Sequence, residues 1–189
     1  MSELAGLRED FAPSHLRGLI SWTLGNVAML RGDVLQGLRE HDEAAQLLRP
    51  ETDLRAWGRF CKASAAMRIS AGTDDGVDDL LAKATHALEL VGNQGDRLEL
   101  TLTRAELALT RGQSRKAAEL LRHTPMDGLP PLALAELSWL RHRAHAALGE
   151  RELAIGEATT AAQAFEAAGA LPRALAAWRA QQALHTDPR

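Results

Sequence analysis

Three observations predict an all-α chain. Ala, Leu, Arg and Glu dominate, whereas Tyr is absent and Phe occurs three times. The former lose little side-chain freedom in a helix, while aromatic and β-branched residues favour strands. Apolar residues recur three or four apart through most of the 189 residues, the period of one helical face. Breaks in this pattern come regularly, at Gly32, Pro50, Gly72, Gly92, Gly112, Pro125 to Pro131, Gly149 and Gly169.

Taken in order, the segments form helical pairs. Residues 14–50 make the first pair, turning at Gly32, and residues 52–92 the second, turning at Gly72. In the latter, Leu80, Leu81, Ala84, Ala87, Leu88 and Val91 share a face. Residues 94–124 turn at Gly112 and residues 130–169 at Gly149, where Leu137, Leu140, Ala144 and Leu148 line up. A final helix at 171–185 would cap the array, covering the apolar face of the last pair. That makes nine helices and a short tail, "HTDPR". Thr52, Asp74 and Ser114 are expected as N-caps, and Gly92 and Gly169 as C-terminal stops. Pro131 and Pro172 fit a first helical turn, which has no use for their missing N–H.

The turn glycines are evenly spaced. Gly32 to Gly72 is 40 residues, Gly72 to Gly112 is 40, and Gly112 to Gly149 is 37. One helix–turn–helix per period of this length is the signature of a helical solenoid. The adhesion-like tripeptide Arg31-Gly32-Asp33 is one of these turns, and its counterparts keep only the glycine.

The stretch "LGNVAMLRGDVLQGLREHDEAAQLLRP" resembles a tetratricopeptide repeat (TPR), with Leu24, Gly25, Asn26, Gly32, Asp33, Ala44 and Pro50 at or near the family's landmarks. Later units keep Gly72 and Ala84, Gly112 and Ala117, and Gly149, Ala154 and Ala161. Arg68 stands where a small or aromatic residue is usual, and His142 and His145 stand at expected packing positions. The resemblance implies a right-handed superhelical solenoid of about four pairs, forming one domain over residues 1–189. The stretches "SWTLGNVAMLRGD", "AWGRFCKASAAMR" and "AAQAFEAAGALPRALAAWR" are also similar in style to the regulatory regions of actinobacterial helix-turn-helix transcription regulators. No separate DNA-binding helix-turn-helix stands out within these residues.

Bulk chemistry narrows the classes. A formal charge of −3 supplies no field for nucleic acid or anionic lipid. A single cysteine, Cys61, excludes an internal disulfide and suits a reducing compartment. The opening "MSELAGLRED" has no basic segment followed by an apolar run, and no uncharged apolar window approaches the roughly 18 residues that span a bilayer. A cytoplasmic protein with no membrane contact is expected.

No constellation of residues points to catalysis or to a cofactor. "AGTDDG" lacks the Lys of a phosphate loop, and "TDDGVDD" lacks a calcium loop's closing Glu. His142 and His145 lie one turn apart, but two ligands are too few for a metal. Cys61 has Arg59 and Lys62 nearby, which could lower a thiol pKa, yet no relay partner is evident.

In TPR proteins the first helix of each pair lines a concave groove. Carried over by resemblance, the groove-facing positions are Trp22, Asn26 and Met29, then Arg59 and Lys62, then Glu99, Leu102 and Glu106, then Trp139 and Arg143. A carboxylate clamp, as in chaperone-binding members, would want Lys or Arg four residues before Asn26, where Trp22 stands. The expected function is non-enzymatic binding of a peptide, a small-molecule effector or a protein partner, as the regulatory part of a bacterial transcription regulator. The alternative is a stand-alone TPR scaffold. The oligomeric state is open.

Overall fold

The computed structural model describes residues 13–186; the N-terminal segment read for a signal sequence, and residues 187–189 of the tail, lie outside them. Nine α-helices account for the regular structure of the described residues. They are α1 (Ser14–Leu30), α2 (Val34–Leu47), α3 (Leu54–Ser70), α4 (Val77–Val91), α5 (Gln94–Thr110), α6 (Ser114–Arg122), α7 (Pro131–Leu148), α8 (Arg151–Ala167) and α9 (Leu171–Thr186). None of the described helices is long and apolar enough to cross a membrane.

The expected turns form for a backbone reason. Gly32, Gly72, Gly112, Gly149 and Gly169 all have positive φ, between 69° and 81°, a region that side chains with a Cβ resist. Each closes the same two-bond motif. Gly32 N–H donates to Met29 O and Asp33 N–H to Ala28 O; Gly112 and Gln113 do the same to Leu109 and Ala108. This is a Schellman stop, which satisfies carbonyls left free at a helix end. In the Arg31-Gly32-Asp33 turn, the Asp33 carboxylate then caps α2 by accepting from Gln36 N–H at 3.1 Å.

Several expected caps are displaced by a residue or more. Asp53, not Thr52, caps α3 by accepting from Ala56 N–H at 2.9 Å. Gly76 with φ 67° precedes α4, leaving Asp74 outside the cap, and Ser114 is the first residue of α6 behind Gln113. Gly92 ends α4 in an extended conformation rather than a left-handed one. Pro131 opens α7 as expected.

Sequential helices pack as pairs: α1 on α2, α3 on α4, α7 on α8 and α8 on α9. This pairing is consistent with a helical repeat. The chain divides into two compact units between Leu100 and Thr101, within α5.

In the first unit, glycines let the pairs close. A Cβ on Gly18 of α1 would lie 2.9 Å from the Leu48 side chain, and one on Gly58 of α3 would lie 2.8 Å from Ala87 and 3.0 Å from Leu88. Gly18 and Gly58 are 40 residues apart, as are Leu48 and Leu88. The same contact therefore recurs at the spacing of the turns. In the second unit, Ala105, Ala108, Ala117, Leu121, Leu137, Leu140 and Ala144 form one core between α5, α6 and α7. A second core joins Ala135 to Phe165 and Ala162 of α8 and Ala174 and Ala177 of α9.

Bulky residues at one position are matched by small ones opposite. Gly25 faces His41, and a Cβ on Gly25 would stand 2.4 Å from the imidazole. By the 40, 40 and 37 spacing the equivalent pairs are Ala65 with Leu81, Ala105 with Leu121, and His142 with Ala158. All are buried. The bulky member of these spaced pairs thus falls on the second helix three times and on the first helix in the last.

Candidate functional site

The residues expected to line a groove are placed mostly as half-buried side chains, and most of the charged ones meet one another. In the first unit Lys62 of α3 donates to Glu99 of α5 at 2.5 Å. In the second, the Arg143 guanidinium of α7 donates to both carboxylate oxygens of Glu106 of α5, at 2.7 and 2.6 Å. Arg173 of α9 likewise engages both oxygens of Glu136 of α7. All three pairs join residues 37 apart in sequence. Within each unit these pairs therefore link alternate helices, α3 to α5 in the first and α5 to α7 and α7 to α9 in the second. In each of these three pairs a cation on one helix meets an anion on the next but one.

Arg59 points to Asp96, its Nε 3.5 Å from Oδ1, and remains about half exposed. Sequence reasoning missed Asp96 and Arg55, whose Nε donates to Asp96 Oδ2 at 2.7 Å. Asp96 also accepts from Asn93 N–H at 3.1 Å, while Asn93 Oδ1 accepts from Asp96 N–H at 2.9 Å. This reciprocal box starts α5. Burial raises the Asp96 pKa, but the hydrogen bonds from Arg55 and Asn93 and the charges of Arg55 and Arg59 outweigh it. The net result lies below the ordinary carboxylate value.

The aromatic candidates are packed on one side. Trp22 meets Phe60 edge-on with ring centroids 5.9 Å apart, and its Nε1 is buried without a hydrogen-bond partner. Trp139 stacks on His142 at 5.1 Å and packs against the core of α8 and α9. Asn26 is exposed, and its Oδ1 lies 3.2 Å from His41 Nε2, which makes that nitrogen the donor. Met29 turns inward, its Cγ covering Gly37 of α2. Leu102 packs against the α5–α6–α7 core.

The remaining reactive types are accounted for locally. Burial pushes the Cys61 thiol up to about 12, with Lys83 opposing and Asp79 reinforcing. Its sequence neighbours Arg59 and Lys62 are engaged with Asp96 and Glu99 instead. His142 and His145 take separate partners: His142 Nδ1 lies 2.9 Å from Ala154 O, and His145 Nδ1 lies 2.5 Å from Glu150 Oε2. Arg68 reaches back to Asp42 on α2 at 2.7 Å. The chain matches no protein-family model and has no significant match among curated proteins or solved structures.

Proposed function

We propose that the chain is a non-enzymatic binding module of TPR type, a right-handed superhelical array whose first helices present the recognition surface. The observation that carries this reading is the 37-residue spacing of Lys62–Glu99, Glu106–Arg143 and Glu136–Arg173. It is close to the 37- to 40-residue spacing of the turn glycines, as expected if α3, α5, α7 and α9 are successive first helices. These pairs occupy Lys62, Glu106, Arg143 and Glu136, and partly exposed Trp or Leu side chains lie on the same helices. That favours a peptide or effector bound through aromatic contact rather than through a charge clamp. By the stylistic likeness described above, the module would serve a bacterial transcription regulator. Ligand binding would favour one curvature of the array and so change how an attached or partner domain is presented.

The test is selection of peptides from a random library on the purified chain, followed by calorimetry against variants. Trp22→Ala or Trp139→Ala should weaken a selected peptide at least tenfold, while Leu30→Ala, at an exposed turn, should not. Equal affinity for both tryptophan variants and the parent would overturn the proposal.

A further inference from the structure

Within the second unit a cleft opens on helix faces other than those of the proposed groove. Helix α6 is only nine residues long, against 17 for α8. Beside it, over α7 and facing α8, a cleft of about 620 Å³ remains. That size lies within the usual range of small-ligand pockets. Arg115 and Arg122 line it from α6, Arg141 and His145 from α7, and Glu150 and Glu157 from the α8 side. On each helix these residues recur at three-, four- or seven-residue intervals, so each contributes one face.

Most of these groups are already engaged. The Arg141 guanidinium is nearly buried and donates to Leu121 O at 2.7 Å and Thr124 O at 2.9 Å, closing the C-terminal end of α6. His145 holds Glu150, and Arg122 holds Glu119 at 2.9 Å. Two groups are left over. Arg115 has no ion-pair or hydrogen-bond partner among the described residues. Glu157 has Oε1 3.7 Å from Arg141, while its buried Oε2 accepts no hydrogen bond.

The spare cation and the Glu157 carboxylate, which is one-fifth exposed, lie beside different turns of α7. Arg115 lines a shallow depression with Ala147 and Leu148 at the C-terminal end of α7, and Glu157 lies by Arg141, seven residues earlier on α7. Seven residues of helix advance roughly 10 Å, about the span of three extended residues. Between them Leu148, Leu153 and Ala118 provide apolar wall. A simple anion would meet Glu150 and Glu157 as repulsion, and a simple cation would meet three arginines.

We infer that this cleft binds a short zwitterionic peptide of about three residues, its C-terminal carboxylate on Arg115 and its free amine toward Glu157. An Arg–carboxylate contact is commonly bidentate, which would select a free C-terminus. The site uses none of the residues of the proposed groove, so the two stand or fall separately.

Calorimetry of the full chain with the tripeptide Ala-Leu-Ala, its N-acetylated form and its C-amidated form tests the assignment. Only the peptide with both termini free should bind well, each blocked form being at least tenfold weaker. Arg115→Glu, an exposed change, should abolish binding at an unchanged melting temperature, and Glu157→Gln should weaken it about tenfold. Absence of Ala-Leu-Ala binding, equal binding of a blocked form, or intact binding in Arg115→Glu would each overturn it.

Discussion

Gly25 on α1 lies flat against the imidazole of His41 on α2, so close that a Cβ would stand 2.4 Å from the ring. His41 is fully buried and has no room to retreat. Gly25→Ala should therefore overpack the α1–α2 interface and cost about 1–3 kcal/mol. The equivalent positions in the next pair are Ala65 and Leu81, so Gly25→Ala combined with His41→Leu should recover much of the loss. Urea denaturation of both single variants and the double gives the coupling. Strict additivity would argue against the equivalence of the pairs.

The same imidazole should make stability depend on pH. Burial, then the nearby Arg68 charge, lower the His41 pKa from 6.5 to about 4, with Asp42 opposing. Unfolded His41 takes up a proton near 6.5, and the folded ring does so only near 4. Its stabilising contribution is complete above the higher value and is lost as pH falls through this window, by up to about 3 kcal/mol. The difference in unfolding free energy between the parent and His41→Leu, followed from pH 7.5 to 4, should shift by that order in favour of the variant. A flat difference would show that the ring does not stay neutral.

Asp96 ties the start of α5 to Arg55 and Arg59 of α3. Asp96→Asn keeps the shape but removes the charge, and a hydrogen bond to a charged group contributes about 1.5–3 kcal/mol. Since the folded carboxyl titrates below its ordinary value of 3.8, its contribution is present above that pH and fades as pH falls through the depressed value. The gap between parent and variant should be open at pH 6 and narrow towards pH 2.5 in denaturant titrations.

Glu106 and Arg143 are each about one-third exposed, so solvent weakens their attraction, and the pair should contribute only about 0.2–1 kcal/mol. Arg143→Glu should lower stability by somewhat more, because two carboxylates then face each other. Combining it with Glu106→Arg should restore most of the loss, and 1 M salt should shrink all the differences. If the reversed pair leaves the loss uncorrected, the two side chains do not meet in solution.

Sequence alone determined the helices and their turns, because those demands are local. Gly32, Gly72, Gly112, Gly149 and Gly169 answer a positive φ that their own backbone imposes, and the apolar stripes answer a 3.6-residue period. Boundary caps were legible only approximately: Asp53 and Thr52 are adjacent and chemically similar, and geometry chooses between them. The groove candidates were named by position, but their engagement was not legible. Lys62 and Arg143 read as free cations until packing sets the offset between alternate helices and brings Glu99 and Glu106 against them. Cys61 shows the same limit, since Arg59 and Lys62 beside it in sequence point elsewhere while burial controls the thiol. Periodicity along one helix is a property of the chain, whereas which charge meets which depends on how helices far apart in sequence are laid side by side, and only the tertiary structure decided that.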